Sequence, residues 1–466
     1  MKFEDILPIN NVLEFKQKLW FTEYAFRIRK WYNGEKLGPV RIDAEITRQC
    51  NLNCIFCVRR ACKQDLNEES RRLEMPKERW VELARESGEL GVRNWSISGI
   101  GEPMMRSDIL LPTMKMIKAY DMFGELTSNG TLFKDKYIKE IVDIEWDSVC
   151  ISIDGPNAKI HDSLRRVKGT FEKATRTIKR FVYWKKKLRS DLPTLTINMV
   201  LNKMNYKKLP EMVKLAEQLG ADALFVEPMI LFSPLAKHLV LGPKEAKELP
   251  KYIERARELG EEYNILPTIS LVGVDLEFDE KIAKKTNKAR KILIKEAKKY
   301  KDPLLSIPCY APWYYLMVRA DGTVLHCGEW EEPLENIRRK SLREVWFGEK
   351  FEEVRKMVTN YKLPPSCDKC RPNVINDMRQ IRRSIMKGGD VTYLQEEILK
   401  LIQENTTLRR RLWAALHNKK LNVNELIKCK RELYKIKTSL TYQLMKKFGE
   451  SRVGKKIKKL FFGRYV

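Results

Sequence analysis

From Val40 onward, short apolar stretches of period two alternate with longer segments of period three to four, and the alternation repeats through residue 230. Strands are predicted near 41–47, 94–99, 122–127, 147–153, 194–200 and 222–228. Helices fit near 77–90, 107–120, 134–142, 169–188 and 206–219. Strand–helix alternation of this kind implies a parallel sheet, here of six strands. Residues 1–38 read as a helical cap around Leu13, Leu19, Trp20 and Tyr24. Residues 231–306 read as a bridge with helices near 243–259 and 279–300 and no assigned role.

The pattern changes at Ile307. Asp321-Gly322 stands between alternating apolar residues, a strong hairpin signal. Residues 307–375 are therefore set apart as a small α+β module. Beyond them, Leu394, Ile398, Leu401, Asn405, Leu408 and Leu412 follow a heptad seam, so 376–445 is predicted as a helical, coiled-coil-like region. In the last segment, 446–466, Val453, Ile457, Leu460 and Phe461 form a stripe on a basic amphipathic tail.

Chemistry concentrates in the loop after the first strand. Cys50, Cys54 and Cys57 form a C-x3-C-x2-C run with no His among them. Soft thiolates select zinc, copper(I) or iron–sulfur clusters. Three local thiolates suit a [4Fe–4S] cube with one iron left open, but the spacing alone leaves zinc or a disulfide open. Later strands end in Gly99-Ile-Gly101-Glu102-Pro103, in Ser128-Asn129-Gly130 and in Ser152-Ile-Asp154-Gly155, followed by His161-Asp162-x-x-Arg165.

Taken in this order, these motifs resemble the radical S-adenosylmethionine (SAM) superfamily over about residues 40–230. The resemblance implies an α/β fold built as an open, partial (β/α)6 TIM barrel, with chemistry at the C-terminal strand ends. It implies that Cys50, Cys54 and Cys57 hold a [4Fe–4S] cluster whose open iron chelates SAM. One electron then releases a 5′-deoxyadenosyl radical that abstracts hydrogen from an unactivated C–H bond. Gly99, Gly101, Glu102 and Pro103 would border the methionyl group; Ile100 departs from the family's glycine there. Ser128, Asn129, Ser152 and Asp154 would lie near the ribose and carboxylate, and Arg165 would clamp the carboxylate. Each of these polar residues also fits a plain cap or turn role. His161 is expected to order its loop, and no acid or base is assigned.

Cys309, Cys327, Cys367 and Cys370, spaced C-x17-C-x39-C-x2-C, resemble the SPASM and twitch auxiliary-cluster modules. A full SPASM module has more cysteines and two clusters, so this chain implies one fully ligated second [4Fe–4S] cluster. A zinc ribbon is the bland alternative. Because a fully ligated cluster has no open iron, the implied role is electron transfer. Cys62, Cys150 and Cys429 are read as structural. Weaker candidates for substrate contact are Glu45, Asn198, Glu227, Tyr310 and Glu329.

The chain has 466 residues, 43% of them apolar, and a net charge of +28. Residues 371–466 carry 24 Lys and Arg against 8 Asp and Glu, so more than half the excess lies in the last fifth. The apolar residues of the tail form a stripe instead of aromatics interleaved with basic residues on one face, which argues against nucleic acid as the partner. The start is not that of a signal peptide and no apolar run approaches a membrane span, so a cytoplasmic protein is expected. The tail suits peripheral contact with the inner face of a membrane, or equally a helix end folded back. The heptad seam suits a homodimer or an internal hairpin. An external one-electron reductant of ferredoxin or flavodoxin type is implied as partner.

The leading expectation is a radical SAM oxidoreductase whose auxiliary cluster accepts an electron. A small-molecule substrate, carbohydrate or related to cell-surface glycans, is suggested by a short tail likeness at Ser439–Met445. Peptide maturation is the alternative within enzymes, and a non-catalytic iron–sulfur scaffold or electron carrier is the alternative outside them.

Overall fold

The computed structural model describes residues 12–58, 72–232, 234–263, 265–269, 289–328, 332–370 and 372–387. Cys62, Glu329, Cys429, the heptad region and the basic tail, for which the sequence raises expectations, lie outside these residues. The described chain divides into two compact units, one drawn from 38–118 and 123–378, the other from 12–37, 119–122 and 379–387. In the second unit, helix α1 (Val12–Tyr32) carries a buried Glu23–Arg27 ion pair of 2.8 Å one turn apart.

In the first unit the chain runs β1 (Arg41–Ala44), α2 (Lys77–Glu89), β2 (Asn94–Ile97), α3 (Ser107–Ala119) and β3 (Phe123–Ser128). It continues through α4 (Asp135–Asp143), β4 (Ser148–Ser152), α5 (Ala158–Arg165), α6 (Thr170–Lys187) and β5 (Thr194–Leu201). Then follow α7 (Leu209–Leu219), β6 (Ala223–Pro228), α8 (Pro243–Tyr263), β7 (Leu266–Ile269) and α9 (Ala289–Ala297). All six expected strands are present and parallel in sequence order, the α/β arrangement that the alternation predicts.

The sheet extends beyond the six strands expected. On one side β7 adds in parallel to β6. On the other, β8 (Tyr315–Val318) of the cysteine module pairs in parallel with β1, Arg41 opposite Tyr315 and Ala44 opposite Val318. The expected hairpin at Asp321-Gly322 joins β8 to β9 (Thr323–Leu325) in antiparallel order, and β10 (Glu335–Asn336) pairs antiparallel with β9 beyond it, completing a ten-stranded sheet. Helices α10 (Leu342–Trp346), α11 (Glu349–Thr359) and α12 (Pro372–Lys387) complete the described chain. The sequence pattern predicts β8 as one arm of that hairpin, but its pairing with β1 and the addition of β7 to β6 join segments distant in the chain and leave no local pattern.

One face of the sheet is uniformly apolar and sealed. Ile42, Ala44, Leu126, Val149, Ile151, Leu195, Ile197, Met199 and Val226 are almost fully buried. Intervening positions such as Asp43, Glu125, Cys150 and Asn198 are half-buried, as the period of two dictates. The sealed layer is tight at Gly124, where a Cβ would come within 2.2 Å of the fully buried Trp146 ring. Gly124→Ala is therefore expected to cost about 2 kcal/mol of stability through overpacking, read as a lower urea midpoint with an unchanged slope.

Candidate cluster and cofactor site

The cysteine loop rises from the C-terminal end of β1 and docks on the last turn of α5. The Ile55 N–H donates to the Leu164 carbonyl at 3.0 Å, and the Asn53 N–H to the Arg165 carbonyl at 3.4 Å. Carbonyls of a last helical turn have no partner within the helix, so the loop supplies one. Leu52, Phe56, Leu164, Ala236 and Leu239 pack around the buried Cys54, with Cys50 and Cys57 half-buried at the margin. Ala236 and Leu239 come from the bridge segment, whose part here the sequence reading left unassigned.

Three thiols in one apolar-walled loop, with a cation beside them, are a donor set that fits a [4Fe–4S] cluster. The cation is Arg165, 8% exposed, whose Nη1 donates to Cys54 Sγ at 3.5 Å. Its Nε lies 2.6 Å from Asp154 Oδ2, an ion pair rather than a straight hydrogen bond, and the guanidinium stands 5.6 Å over the Phe56 ring. Burial opposes the guanidinium charge, but Asp154 and the Cys54 sulfur more than offset it and its pKa is raised. Asp154 is itself fully buried; its Oδ1 accepts from the Val200 N–H at 3.0 Å, and its carbonyl from Asn205 Nδ2 at 2.9 Å.

A second knot joins the ends of β2 and β3. Glu102 is 2% exposed, and its carboxylate accepts from Ser128 Oγ and the Asn129 N–H, each at 2.7 Å, and from the Met104 N–H at 3.0 Å. Burial raises the Glu102 pKa, while these donors work in the opposite sense. The Glu102 N–H donates to the Gln49 carbonyl at 2.7 Å, beside Cys50. That approach requires Gly101, where a Cβ would fall 2.1 Å from the Thr47 carbonyl oxygen. Gly99 has φ +136, and Pro103 opens a short 3-10 turn. Asn129 Nδ2 reaches Asn51 Oδ1 at 2.9 Å, tying the β3 end to the cysteine loop.

The structure thus brings Cys50, Cys54, Cys57, Gly101, Glu102, Ser128, Asn129, Asp154 and Arg165 to one rim. Several of their polar atoms are spent on one another. Ser152 is buried at the end of β4, opposite Asn198 in register. His161 is 1% exposed, and its Nδ1 accepts from the Asp154 N–H at 3.1 Å. Asp162, next to it, caps α6 by accepting from the Gly169 and Phe171 N–H groups at 2.7 and 2.9 Å.

The auxiliary cysteines fall on three segments: Cys309 before a short turn, Cys327 after β9, and Cys367 and Cys370 at a 3-10 turn. The Cys367 pKa is raised by burial and then by the nearby Cys309 and Cys327 thiols. Crowded soft donors of this kind fit a thiolate-ligated cluster. Among the described residues, no three His, Cys, Asp or Glu side chains converge on a single ion.

Of the weaker candidates, Glu45 is spent on Arg48 at 3.0 Å and Tyr310 is fully buried, its hydroxyl on the Leu304 carbonyl at 3.0 Å. Asn198 Nδ2 meets Glu227 Oε1 at 3.1 Å. Sequence reasoning missed a cluster on the half-buried sheet face. Arg41 pairs with Asp43 at 2.6 Å and approaches Glu125 at 3.8 Å, and the Tyr315 hydroxyl donates to Asp43 Oδ2 at 2.8 Å. Arg41 and Asp43 alternate with apolar residues, which was the available signal. Tyr315 comes from the module 272 positions further on, which no local pattern could show.

Two families match this chain: "Radical SAM superfamily" over residues 44–216 and "Iron-sulfur cluster-binding domain", the SPASM family, over 309–371. A PqqA peptide cyclase of Methylocella silvestris is 31% identical over 185 residues, 40% of this chain and 46% of the cyclase. The chain thus matches about half the length of that relative. An AdoMet-dependent heme synthase of Methanosarcina barkeri is 26% identical over 361 residues, 77% of this chain and 95% of the synthase. Among solved structures, Streptococcus suis SuiB matches with a TM-score of 0.51 at 16% identity, covering 71% of each chain, a likeness of fold.

The buried His161 yields a pH prediction. Burial, then Arg165, lowers its pKa from 6.5 to about 4, so the imidazole stays neutral in the folded state where the unfolded chain binds a proton. The resulting stability is present above pH 6.5 and is lost as pH falls from 6.5 toward 4, about 3 kcal/mol in all. Urea melts of wild type and His161→Gln between pH 7.5 and 4.5 check this. The wild type should lose more stability over that range than the variant.

Proposed function

Because the chain belongs to the radical SAM superfamily and carries a SPASM-type module, we propose that it is an oxidoreductase acting on an unactivated C–H bond. The observation carrying this reading is the docked C-x3-C-x2-C loop on a sheet continuous with the auxiliary-cysteine module. Cys50, Cys54 and Cys57 would hold the SAM-binding cluster, and Cys309, Cys327, Cys367 and Cys370 the auxiliary one. Bound there, a cluster with SAM would supply radical chemistry for hydrogen abstraction, and an auxiliary cluster would supply an acceptor for the substrate's second electron. The protein's own part is to exclude water and fix which hydrogen faces the radical. Leu52, Phe56, Leu164 and Leu239 wall the thiols, while Gly101 and the Glu102 knot hold the loop against the β2 and β3 ends.

The substrate would lie on the half-buried sheet face. Arg41, Asp43, Glu125 and Tyr315 offer polar contacts there, which suits a polar small molecule such as a carbohydrate. Peptide maturation is the second reading, favoured by the similarity to PqqA peptide cyclases, which spans 185 residues. Anaerobic incubation with SAM separates them: nucleotide-sugar pools against precursor peptides, with 5′-deoxyadenosine followed. Stimulation by peptide alone would overturn the small-molecule reading.

Among the described residues no helix is long and apolar enough to cross a membrane. Contact of the 446–466 tail with an anionic membrane, and pairing through the heptad seam, are proposals resting on sequence. Vesicle co-sedimentation with and without the tail tests the first, and sedimentation equilibrium the second.

Two clusters imply about eight irons per chain. Replacing Cys50, Cys54 and Cys57 by Ala should halve the iron and abolish SAM cleavage. Iron near four in intact anaerobic protein, with zinc present, would defeat the two-cluster reading. Replacing Cys367 and Cys370 by Ala should leave some uncoupled SAM cleavage while stopping substrate turnover. Unchanged product formation would make the module structural alone.

A further inference from the structure

We propose that Arg165 is a positioning residue for the barrel cluster, which raises the cluster's reduction potential through Cys54 and is itself aimed by Asp154. The inference rests on the cluster reading of Cys50, Cys54 and Cys57 and goes beyond it by giving Arg165 a role that exists before SAM binds.

The guanidinium is committed on three sides. Nη1 is 3.5 Å from Cys54 Sγ, Nε is 2.6 Å from Asp154 Oδ2, and the Phe56 ring lies 5.6 Å from its centre. A planar fork suits such simultaneous contacts, which a lysine ammonium cannot reproduce. The aim is set from behind. Asp154 is fully buried, with its backbone N–H on His161 Nδ1, its Oδ1 on the Val200 N–H of β5 and its Oδ2 beside Arg165 of α5, so two elements hold its carboxylate. The backbone carbonyl of Arg165 receives the Asn53 N–H, so loop backbone and loop sulfur are both fixed by Arg165.

An N–H donor and a positive charge beside a thiolate ligand stabilise the more negative, reduced cluster, and such contacts are a recognised lever on cluster potential. Asp154 works in the opposite sense, so the two side chains set the potential as a difference. Arg165→Gln leaves a buried carboxylate uncompensated and should make reduction harder. Asp154→Asn keeps the Val200 contact while removing the opposing charge, and should make reduction easier.

The test is a dithionite titration of the anaerobically loaded protein, following the EPR signal that shifts on addition of SAM, with SAM affinity and iron content measured in parallel. Arg165→Gln is expected to lower the reduction equilibrium at least tenfold, 59 mV for one electron. Asp154→Asn should shift it in the opposite direction, and Arg165→Lys should fall between wild type and Arg165→Gln. Potentials unmoved in all three variants would overturn the proposal, and so would weaker SAM binding at unchanged potential, the signature of a carboxylate clamp. Should Arg165→Gln fail to hold iron, the Lys and Asn variants decide by the same opposed shifts. A wild type with no SAM-sensitive signal would instead sink the cluster reading itself.

Discussion

The approach of two backbones at Gly101 is the constraint on which this rim depends. The turn after β2 comes so near the loop leaving β1 that a single methyl would overlap the Thr47 carbonyl. In that space the Glu102 N–H reaches Gln49 at 2.7 Å. Once the turn is seated, its carboxylate is carried into the interior, where water cannot satisfy it. It must then find donors in the protein, and Ser128 and the Asn129 N–H provide them. One missing side chain thus ties three strand ends together, and the cysteine loop is held between that tie and the last turn of α5.

This economy changes how the polar strand-end residues are understood. Glu102, Ser128 and Asp154 have carboxylate or hydroxyl atoms already engaged by neighbouring protein groups. Their first effect is to make the rim rigid, so that a small cofactor meets a surface in place. A buried charge with one partner is a liability, but Asp154 and Arg165 have several each, and the pair is therefore a strut. Removing either end leaves the other uncompensated, which is why the two substitutions should shift the potential of a cluster held by Cys54 in opposite senses.

The six barrel strands and their helices were legible in the sequence because each strand is followed by a helix with its own period. The cysteine loop was legible because three soft ligands within eight residues have few other uses. What could not be read was partnership at long range. The Arg165–Cys54 contact spans 111 positions, and the Tyr315–Asp43 contact spans 272. Arg165 looked available to a ligand because a sequence shows a residue's chemistry without showing which neighbours engage it. Strand β8 was legible as an arm of the Asp321-Gly322 hairpin, whereas its pairing with β1, like that of β7 with β6, joins segments far apart in the chain.

The parallel pairing of β8 with β1 has a consequence for charge. It sets Tyr315 beside Arg41 and Asp43, on the half-buried face that also carries Glu125 and Asn198. The whole chain is strongly basic, yet the named ionisable groups on this face include more carboxylates than guanidinium. The two facts do not conflict, because more than half of the net charge of +28 lies in residues 371–466. Screening within about 8–10 Å at physiological salt keeps exposed charges from dominating a sheltered face further away. Net charge therefore informs about surfaces and partners in solution. The face between β8 and β6 is governed by its own Arg41, Asp43 and Glu125, and their pairing is where substrate polarity should be read.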